Sequence, residues 1–189
     1  LYGCSGAENS QTTAAAQESQ AASEDEQAAG TEMTTGDTLK FAVMAPITGN
    51  YAEFGTAFKV ATQMAADEIN AAGGVNGKQI ELEVFDSKGD ATESVDVARQ
   101  LVNNEEILGV IGDFSSTCCM ANAPIFGDGG LVQLSPTCSH SDFAAMNDYQ
   151  FSIMGLTADE SKFFVSSLIG TYLEQDNIGI IYANDDWGN

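Results

Sequence analysis

Short apolar or alternating runs are separated by longer segments of helical periodicity from residue 38 onward. The short runs end at turn residues and predict β-strands at 39–44, 80–84, 108–111, 131–134, 151–154 and 178–182. The periodic segments predict helices at 51–72, 90–102, 117–126 and 159–173, the second capped by Asp90 or Thr92 and the last by Asp159. Strands that alternate with helices predict the α/β class, here a parallel sheet with helices on both faces.

The segments after the third and fourth predicted strands are rich in hydroxyl side chains. Ligands of a parallel sheet bind beyond the carboxyl ends of its strands, so a site is expected there. Ser115, Ser116 and Thr117 stand at a predicted helix N-terminus, where free N–H groups, the helix dipole and hydroxyl donors favour an anion. Residues 135–141 form a second such loop, which is expected to be its neighbour. Together the loops predict a carboxylate site without Lys or Arg; the alternative is two ordinary helix caps.

The charge balance removes several classes of function. Six Lys and Arg residues against 28 Asp and Glu residues give a net charge of -22. A polyanion of this strength repels phosphate backbones and anionic membrane surfaces, which excludes nucleic acid as a partner. No apolar run approaches the ~18 residues that a membrane-spanning helix needs. One His and four Cys residues leave little material for a zinc site, and we expect neither a metal nor a cofactor.

The first residues of the chain resemble the end of a bacterial lipoprotein signal. Leu1, Gly3 and Cys4 match the lipobox pattern, in which the Cys carries a diacylglycerol and becomes the mature N-terminus. Residues 5–37 contain no aromatic and no basic residue, and they predict a disordered acidic tether. We therefore expect a signal remnant at 1–4 with lipidation at Cys4; the alternative is a chance Cys in an unstructured tail.

Five segments of the folded part carry recognisable motifs. They are Ala-Pro-Ile-Thr-Gly at 45–49, Ile-Asn-Ala-Ala-Gly-Gly-Val-Asn-Gly-Lys at 69–78, Gly-Val-Ile-Gly at 109–112, Leu-Ser-Pro at 134–136, and Ile-Ile-Tyr at 180–182 with Trp-Gly at 187–188. These motifs resemble the type I periplasmic binding proteins of the branched-chain amino acid transport family, the extracytoplasmic receptors of ABC importers. The resemblance implies two Rossmann-like α/β lobes, the first at 38–155 and a truncated second lobe at 156–189. We expect the chain to be a fragment that binds ligand weakly by itself.

The resemblance also implies roles for individual residues. The Ser116 hydroxyl would bind the α-carboxylate of a ligand, the Thr137 carbonyl would receive the α-ammonium, and Ser139 would contact the same groups. Phe54 and Trp187 would flank the ligand from the two lobes, while an acidic partner of the ammonium would lie beyond residue 189. With two neighbours included, the predicted ligand-binding residues are Phe54, Ser115, Ser116, Thr137, Cys138, Ser139 and Trp187.

The function implied by the resemblance is capture of a small solute, with a branched-chain or aliphatic amino acid favoured. The ligand would pass to the transmembrane subunits of an ABC permease, and the protein would sit at the outer face of the cell membrane or in the periplasm. Two alternatives stay open. The same fold binds amides, urea or aromatic acids in some relatives, and it serves as the ectodomain of ligand-sensing receptors in others.

Three cysteines and one histidine invite a different interpretation. Cys138 is expected near Cys118 and Cys119, and either a disulfide to one of them or buried free thiols would fit an exported protein. A nucleophilic pair of Cys119 or Cys138 with His140 lacks an orienting third group, so an enzyme is not expected.

Overall fold

The computed structural model describes residues 38–175 and 177–188. The predicted lipidation at Cys4 and the predicted tether at 5–37 lie outside the described residues. Within these ranges, five strands follow one another in chain order: β1 Thr38–Ala45, β2 Gln79–Asp86, β3 Ile107–Gly112, β4 Gln133–Ser135 and β5 Gln150–Ser152. Four α-helices accompany them, α1 Ala52–Ala71, α2 Ala91–Val102, α3 Ser116–Gly129 and α4 Thr157–Phe163. A 3₁₀ turn at Phe143–Ala145 precedes β5, and a π-helical segment at Phe164–Tyr172 follows α4.

The strands form one sheet in the order β2-β1-β3-β4-β5, and every pairing is parallel. Successive side chains of a strand point to opposite faces. Ala42 and Met44 of β1 pack with α2 and α3 in a core that contains Phe126, whereas Phe41 faces a groove beside α1. The predicted α/β fold, with helices on both faces of a parallel sheet, is therefore confirmed.

The strands behind the short apolar runs have one buried face and one more exposed face. In β3, Ile107 and Val110 are buried whereas Leu108 is 51% exposed. At the edge of the sheet, β2 alternates between Ile80, Leu82 and the exposed Glu81 and Glu83. Asp90 caps α2, accepting hydrogen bonds from the Thr92 and Glu93 N–H groups, as the sequence predicted.

One side chain of α1 completes the outer edge of the sheet. The Asn70 amide group donates to the Ile80 carbonyl at 2.9 Å, and its oxygen accepts the Ile80 N–H at 2.7 Å. Asn70 thus takes the place of a strand neighbour for β2, whose other side pairs with β1. This double hydrogen bond gives a physical reason for the Asn at the second position of the motif at 69–78.

Two predictions for the last part of the chain are wrong. Asp159 does not cap α4; it lies in the first turn of the helix, which has Leu156 at its N-cap position. Residues 178–182 form no β-strand, and Ile180 and Ile181 are 78% and 102% exposed. An apolar run becomes a strand only where a neighbour takes its backbone hydrogen bonds, and no described residue pairs with this one.

No helix within the described ranges is long and apolar enough to cross a membrane.

Replacing Asn70 with Ala should lower the free energy of unfolding by about 1–3 kcal/mol, because the Ile80 N–H and C=O both lose their partner. Urea unfolding followed by circular dichroism measures this change. Gln63→Ala is the matched control, since Gln63 lies on the same helix and hydrogen-bonds only the nearby Asp67. Equal effects of the two substitutions would show that Asn70 does not hold β2.

Candidate ligand-binding site

A cavity of about 460 Å³ opens at the carboxyl ends of the strands. Its walls come from the loops after β1, β3 and β4 and from residues 183–187, and the lining residues are Tyr51, Phe54, Phe114, Ser115, Ser116, Thr137, Ala183, Asp185 and Trp187. Five of the seven predicted ligand-binding residues are among them: Phe54, Ser115, Ser116, Thr137 and Trp187. The parallel sheet brings them together because all its strands end at the same edge.

The first hydroxyl loop forms the N-terminus of α3. Ser115 is the N-cap residue, and its side chain accepts the Cys118 N–H at 3.2 Å. Ser116 is the first helical residue and is 2% exposed, yet it lines the cavity. None of the lining residues is basic. An anion in this cavity would therefore depend on hydroxyl groups, helix N–H groups and the positive end of the helix dipole.

The second hydroxyl loop is hydrogen-bonded to the first, as the sequence predicted from consecutive strands. The Thr137 hydroxyl donates to the Phe114 carbonyl at 2.7 Å. Beneath it, the buried Ser135 hydroxyl donates to the Asp113 carbonyl at 2.9 Å and accepts the Cys138 N–H at 2.9 Å. Because the Thr137 hydroxyl donates its proton to the Phe114 carbonyl, this hydroxyl can only accept a hydrogen bond from a ligand.

Cys138 and Ser139 do not line the cavity. Cys138 is fully buried, with its sulfur 3.8 Å from the Ser116 hydroxyl oxygen. Ser139 is 5% exposed; its carbonyl accepts the Thr157 N–H at 3.1 Å, and its hydroxyl accepts the Thr157 hydroxyl proton at 2.8 Å. Both residues lie in a layer behind the lining, and Ser139 ties this loop to the start of α4.

Three aromatic rings form one wall of the cavity. Phe114 stacks on Phe54 with ring centroids 4.6 Å apart and an interplanar angle of 18°, and the Tyr51 ring lies 5.5 Å from Phe114. Phe58 meets Phe114 edge-on from outside the lining. Sequence reasoning missed Tyr51 and Phe114 as lining residues. Their positions in the sequence could have indicated this role, because each lies in the segment between a strand and the following helix.

Asp86 at the end of β2 shapes the loop after β1, which leads to Tyr51 and Phe54. Its carboxylate accepts hydrogen bonds from the Ile47, Thr48 and Lys88 N–H groups and from the Thr48 hydroxyl. Partial burial alone would raise the pKa of Asp86, but these hydrogen bonds outweigh it and lower the pKa below its ordinary value. Asp86 stays ionised at neutral pH and anchors the loop that leads to Tyr51.

A second carboxylate, Asp113, is fully buried below the cavity. It accepts hydrogen bonds from the Ser87 and Ser94 hydroxyls, both at 2.9 Å, and from the Phe114 N–H at 2.6 Å. Burial raises the pKa of Asp113 and the hydrogen bonds only partly oppose it. None of the four ion pairs among the described residues includes this carboxylate. Asp113 therefore holds Phe114 through hydrogen bonds alone.

The fold and the cavity at the strand ends define an α/β lobe of the kind that binds small ligands. The chain belongs to the periplasmic binding protein family, whose family model matches residues 38–189. Within that family, the similarity is to substrate-binding proteins of branched-chain amino acid ABC transporters.

Three relatives illustrate the similarity. The leucine-, isoleucine-, valine-, threonine- and alanine-binding protein of Pseudomonas aeruginosa is 35% identical over 101 residues, which are 53% of this chain and 27% of that protein. The Leu/Ile/Val-binding protein of Escherichia coli is 25% identical over 158 residues, 82% of this chain and 42% of that protein. The crystal structure of LivJ from Streptococcus pneumoniae with isoleucine has a TM-score of 0.65 and 29% identity, covering 72% of this chain and 39% of that one. The chain thus spans less than half the length of each relative.

The substitution Asp113→Asn should make the free energy of unfolding less dependent on pH. A carboxyl whose pKa is raised by folding adds stability below its ordinary pKa and loses it as pH rises through the raised value. The Asn amide can donate to the Ser94 oxygen and keep the other two contacts. The variant should therefore gain stability relative to the wild type between about pH 5 and about pH 8.

Urea unfolding at the two pH values measures this gain. Asp128→Asn, at an exposed carboxylate of α3, is the control. A stability difference between wild type and Asp113→Asn that is the same at both pH values would show that Asp113 does not titrate as its burial implies.

Proposed function

We propose that this chain provides the first lobe of an extracytoplasmic substrate-binding protein, and that its ligand is a small carboxylate. An aliphatic amino acid such as Leu, Ile or Val is the leading candidate. The observation that carries the proposal is the cavity at the strand ends, which is lined both by the N-terminus of α3 with Ser115 and Ser116 and by an aromatic wall. The names of the relatives support the same ligand class.

The lining suggests how each part of an amino acid would be held. The α-carboxylate would lie at the N-terminus of α3 and accept the Ser116 hydroxyl proton. The α-ammonium would meet the acceptor groups of Thr137, whose hydroxyl proton is already used. An apolar side chain would pack on Phe54 and Phe114, and Trp187 would cover it from the far side of the cavity. Ser139 would support this site from behind.

Contacts from both sides of the cavity also suggest a mechanism. Only a closed arrangement places Ser116 and Trp187 on one ligand, so binding would shift the population from an open to a closed form. We infer that the closed form delivers the ligand to the transmembrane subunits of a permease. In this proposal the chain passes from the first lobe, 38–155, to the second at residue 156.

A second candidate ligand is an aromatic carboxylate. The stacked Phe54 and Phe114 rings with Tyr51 beside them offer a flat apolar surface, which suits an aromatic ring as well as a branched aliphatic chain. The only ionisable acid in the lining is Asp185, which is exposed. An aromatic acid without an amine would need no acidic partner.

The positions of Cys138 and His140 also favour binding over catalysis. Cys138 is fully buried and does not line the cavity, and the His140 Nδ1 atom accepts the Asp142 N–H at 3.1 Å. Neither residue of the Cys138–His140 pair therefore lines the cavity.

Ser116→Ala should weaken ligand binding roughly 5- to 100-fold, because a buried carboxylate loses a hydroxyl donor. Chemical-shift changes in ¹⁵N-labelled chain, titrated with millimolar Leu, Ile, Val or 4-hydroxybenzoate, measure the affinity. Ser141→Ala, at an exposed serine outside the lining, is the control. Unchanged affinity would remove Ser116 from the site.

The same titrations decide between the candidate ligands. Shifts of Phe114 and Ser116 signals with Leu, Ile or Val support the amino acid, whereas shifts with 4-hydroxybenzoate alone support the aromatic acid. A lack of response to every compound would contradict the proposed site in this chain.

We also propose that Cys4 carries a lipid that holds the protein at the outer face of the membrane, with residues 5–37 as a tether. When the upstream part of a bacterial lipoprotein signal is fused in front of residue 1, the protein should incorporate labelled palmitate and fractionate with membranes. Cys4→Ser should abolish both, whereas Cys118→Ser should change neither. Membrane retention of Cys4→Ser without label would refute the anchor.

A further inference from the structure

The two hydroxyl loops of the site bring two cysteines into contact. Cys119 belongs to the first turns of α3, and Cys138 follows Thr137 in the loop after β4. Both are fully buried, and they pack in one cluster with Ala123 and Phe143. The sequence left open whether Cys138 meets Cys118, Cys119 or neither.

The environments of Cys118 and Cys119 separate these possibilities. Adjacent residues of a helix point about 100° apart. Burial and the nearby Asp113 raise the pKa of Cys118 to about 12, and hydrogen bonds with Ser115 and Ser94 oppose that rise only in part. Cys118 is fully buried but lies outside the cluster that contains Cys119 and Cys138. The Cys119 thiol instead contacts the Asp113 carbonyl at 3.3 Å and the Ser135 hydroxyl at 3.5 Å, on the side of β4. Cys119 therefore faces Cys138, and Cys118 faces away from it.

We propose that Cys119 and Cys138 are a redox pair that closes to a disulfide on reaction with a disulfide oxidant, thereby linking the two loops of the ligand cavity. Cys118 takes no part. The proposal does not depend on which ligand the cavity binds.

The roles of the two sulfurs follow from their contact. A hydrogen bond from the Cys119 thiol favours the thiolate of Cys138 and lowers its pKa, with further help from the Cys138 contacts to the His140 N–H and the Ser116 hydroxyl. Burial and the Cys138 sulfur raise the pKa of Cys119. The first proton therefore leaves the pair from Cys138, which makes Cys138 the attacking sulfur.

The exchange takes place in two balanced steps. The Cys138 thiolate attacks one sulfur of the oxidant, forms a mixed disulfide and releases a thiolate, which takes the proton of Cys119. The Cys119 thiolate then attacks the Cys138 sulfur and displaces the second thiolate of the oxidant. The chain loses two hydrogens and two electrons, and the oxidant is reduced to two thiols. Because both cysteines are fully buried, the oxidant reaches them while the chain folds or when the loops open.

The bond would act on the cavity directly. Cys119 lies three residues after Ser116, and Cys138 directly follows Thr137, so a covalent link would fix the spacing of two lining residues. In the thiol form, Cys138 donates to the Ser116 oxygen at 3.8 Å; a disulfide sulfur has no proton to donate. Oxidation would therefore leave the Ser116 oxygen without this donor.

The test is refolding from urea in the presence of oxidised glutathione, with Cys4→Ser as the background so that only three thiols remain. The product should be about 2 Da lighter than the reduced chain, and one thiol should still react with maleimide after denaturation. Its Tm should rise by an amount on the order of 10 °C relative to the reduced form. Chymotrypsin is needed for mapping, since no Lys or Arg separates Cys119 from Cys138.

Three further variants test which two cysteines form the disulfide. Cys118→Ala should oxidise like the background, whereas Cys119→Ala and Cys138→Ala should keep both remaining thiols. Circular dichroism checks that each variant folds. Oxidation of Cys119→Ala as readily as Cys118→Ala would overturn the pairing, and so would mass loss in Cys138→Ala, which would indicate a bond between the adjacent cysteines. Failure of the folded background protein to lose any mass would overturn it as well.

Discussion

The parallel pairing of β3 with β1 on one side and β4 on the other is the constraint on which the site depends. Parallel strands must all end at the same edge, so three loops far apart in the sequence converge there. The loop after β1 brings Tyr51 and Phe54, the loop after β3 brings Phe114 and Ser116, and the loop after β4 brings Thr137. No contact within any one loop could create this cavity. An antiparallel β3 would send its hydroxyl groups to the opposite edge.

Buried polar groups turn that convergence into a defined shape. A buried carboxylate or hydroxyl is tolerated only where hydrogen bonds replace those it made to water. The Asp113 carboxylate meets this condition through Ser87 after β2 and Ser94 of α2, and the Ser135 hydroxyl meets it through the Asp113 carbonyl. The desolvation of both groups is therefore offset only when the loops are in place. Because each buried group needs these particular hydrogen-bond partners, other arrangements of the loops would leave it without them. It also explains why the cavity can lack a basic residue, because the local donors are hydroxyl and backbone N–H groups with fixed directions.

The sequence predicted the strand-helix alternation, the sheet type and the neighbourhood of the two hydroxyl loops, because each depends on local pattern or on the order of strands. Through the family resemblance it predicted five of the lining residues, but it also placed Cys138 and Ser139 in the site, which do not line the cavity, and it missed Tyr51 and Phe114. Phe114 and Ser116 lie two residues apart and both line it, whereas Cys138 directly follows Thr137 and is buried behind it. These directions are set by contacts across the sheet, such as the bond from Thr137 to the Phe114 carbonyl, and no periodicity encodes them. The strand expected at 178–182 does not form for a related reason, because an apolar pattern does not show which strand would pair with it.

The two sides of the cavity differ in what holds them. On one side, the loops rest on paired strands and on fully buried residues such as Asp113 and Phe126. On the other side, Ala183, Asp185 and Trp187 follow a stretch that no described strand pairs with, and Trp187 is 59% exposed. A ligand gains most from groups that are already ordered, because ordering mobile groups on binding subtracts from the affinity. In this chain, the ordered groups are Ser116, Thr137 and the Phe54–Phe114 stack. In the proposed function they would recognise a carboxylate and a flat or branched apolar group, so these features, rather than contacts from 183–187, would set the ligand class that this chain can distinguish.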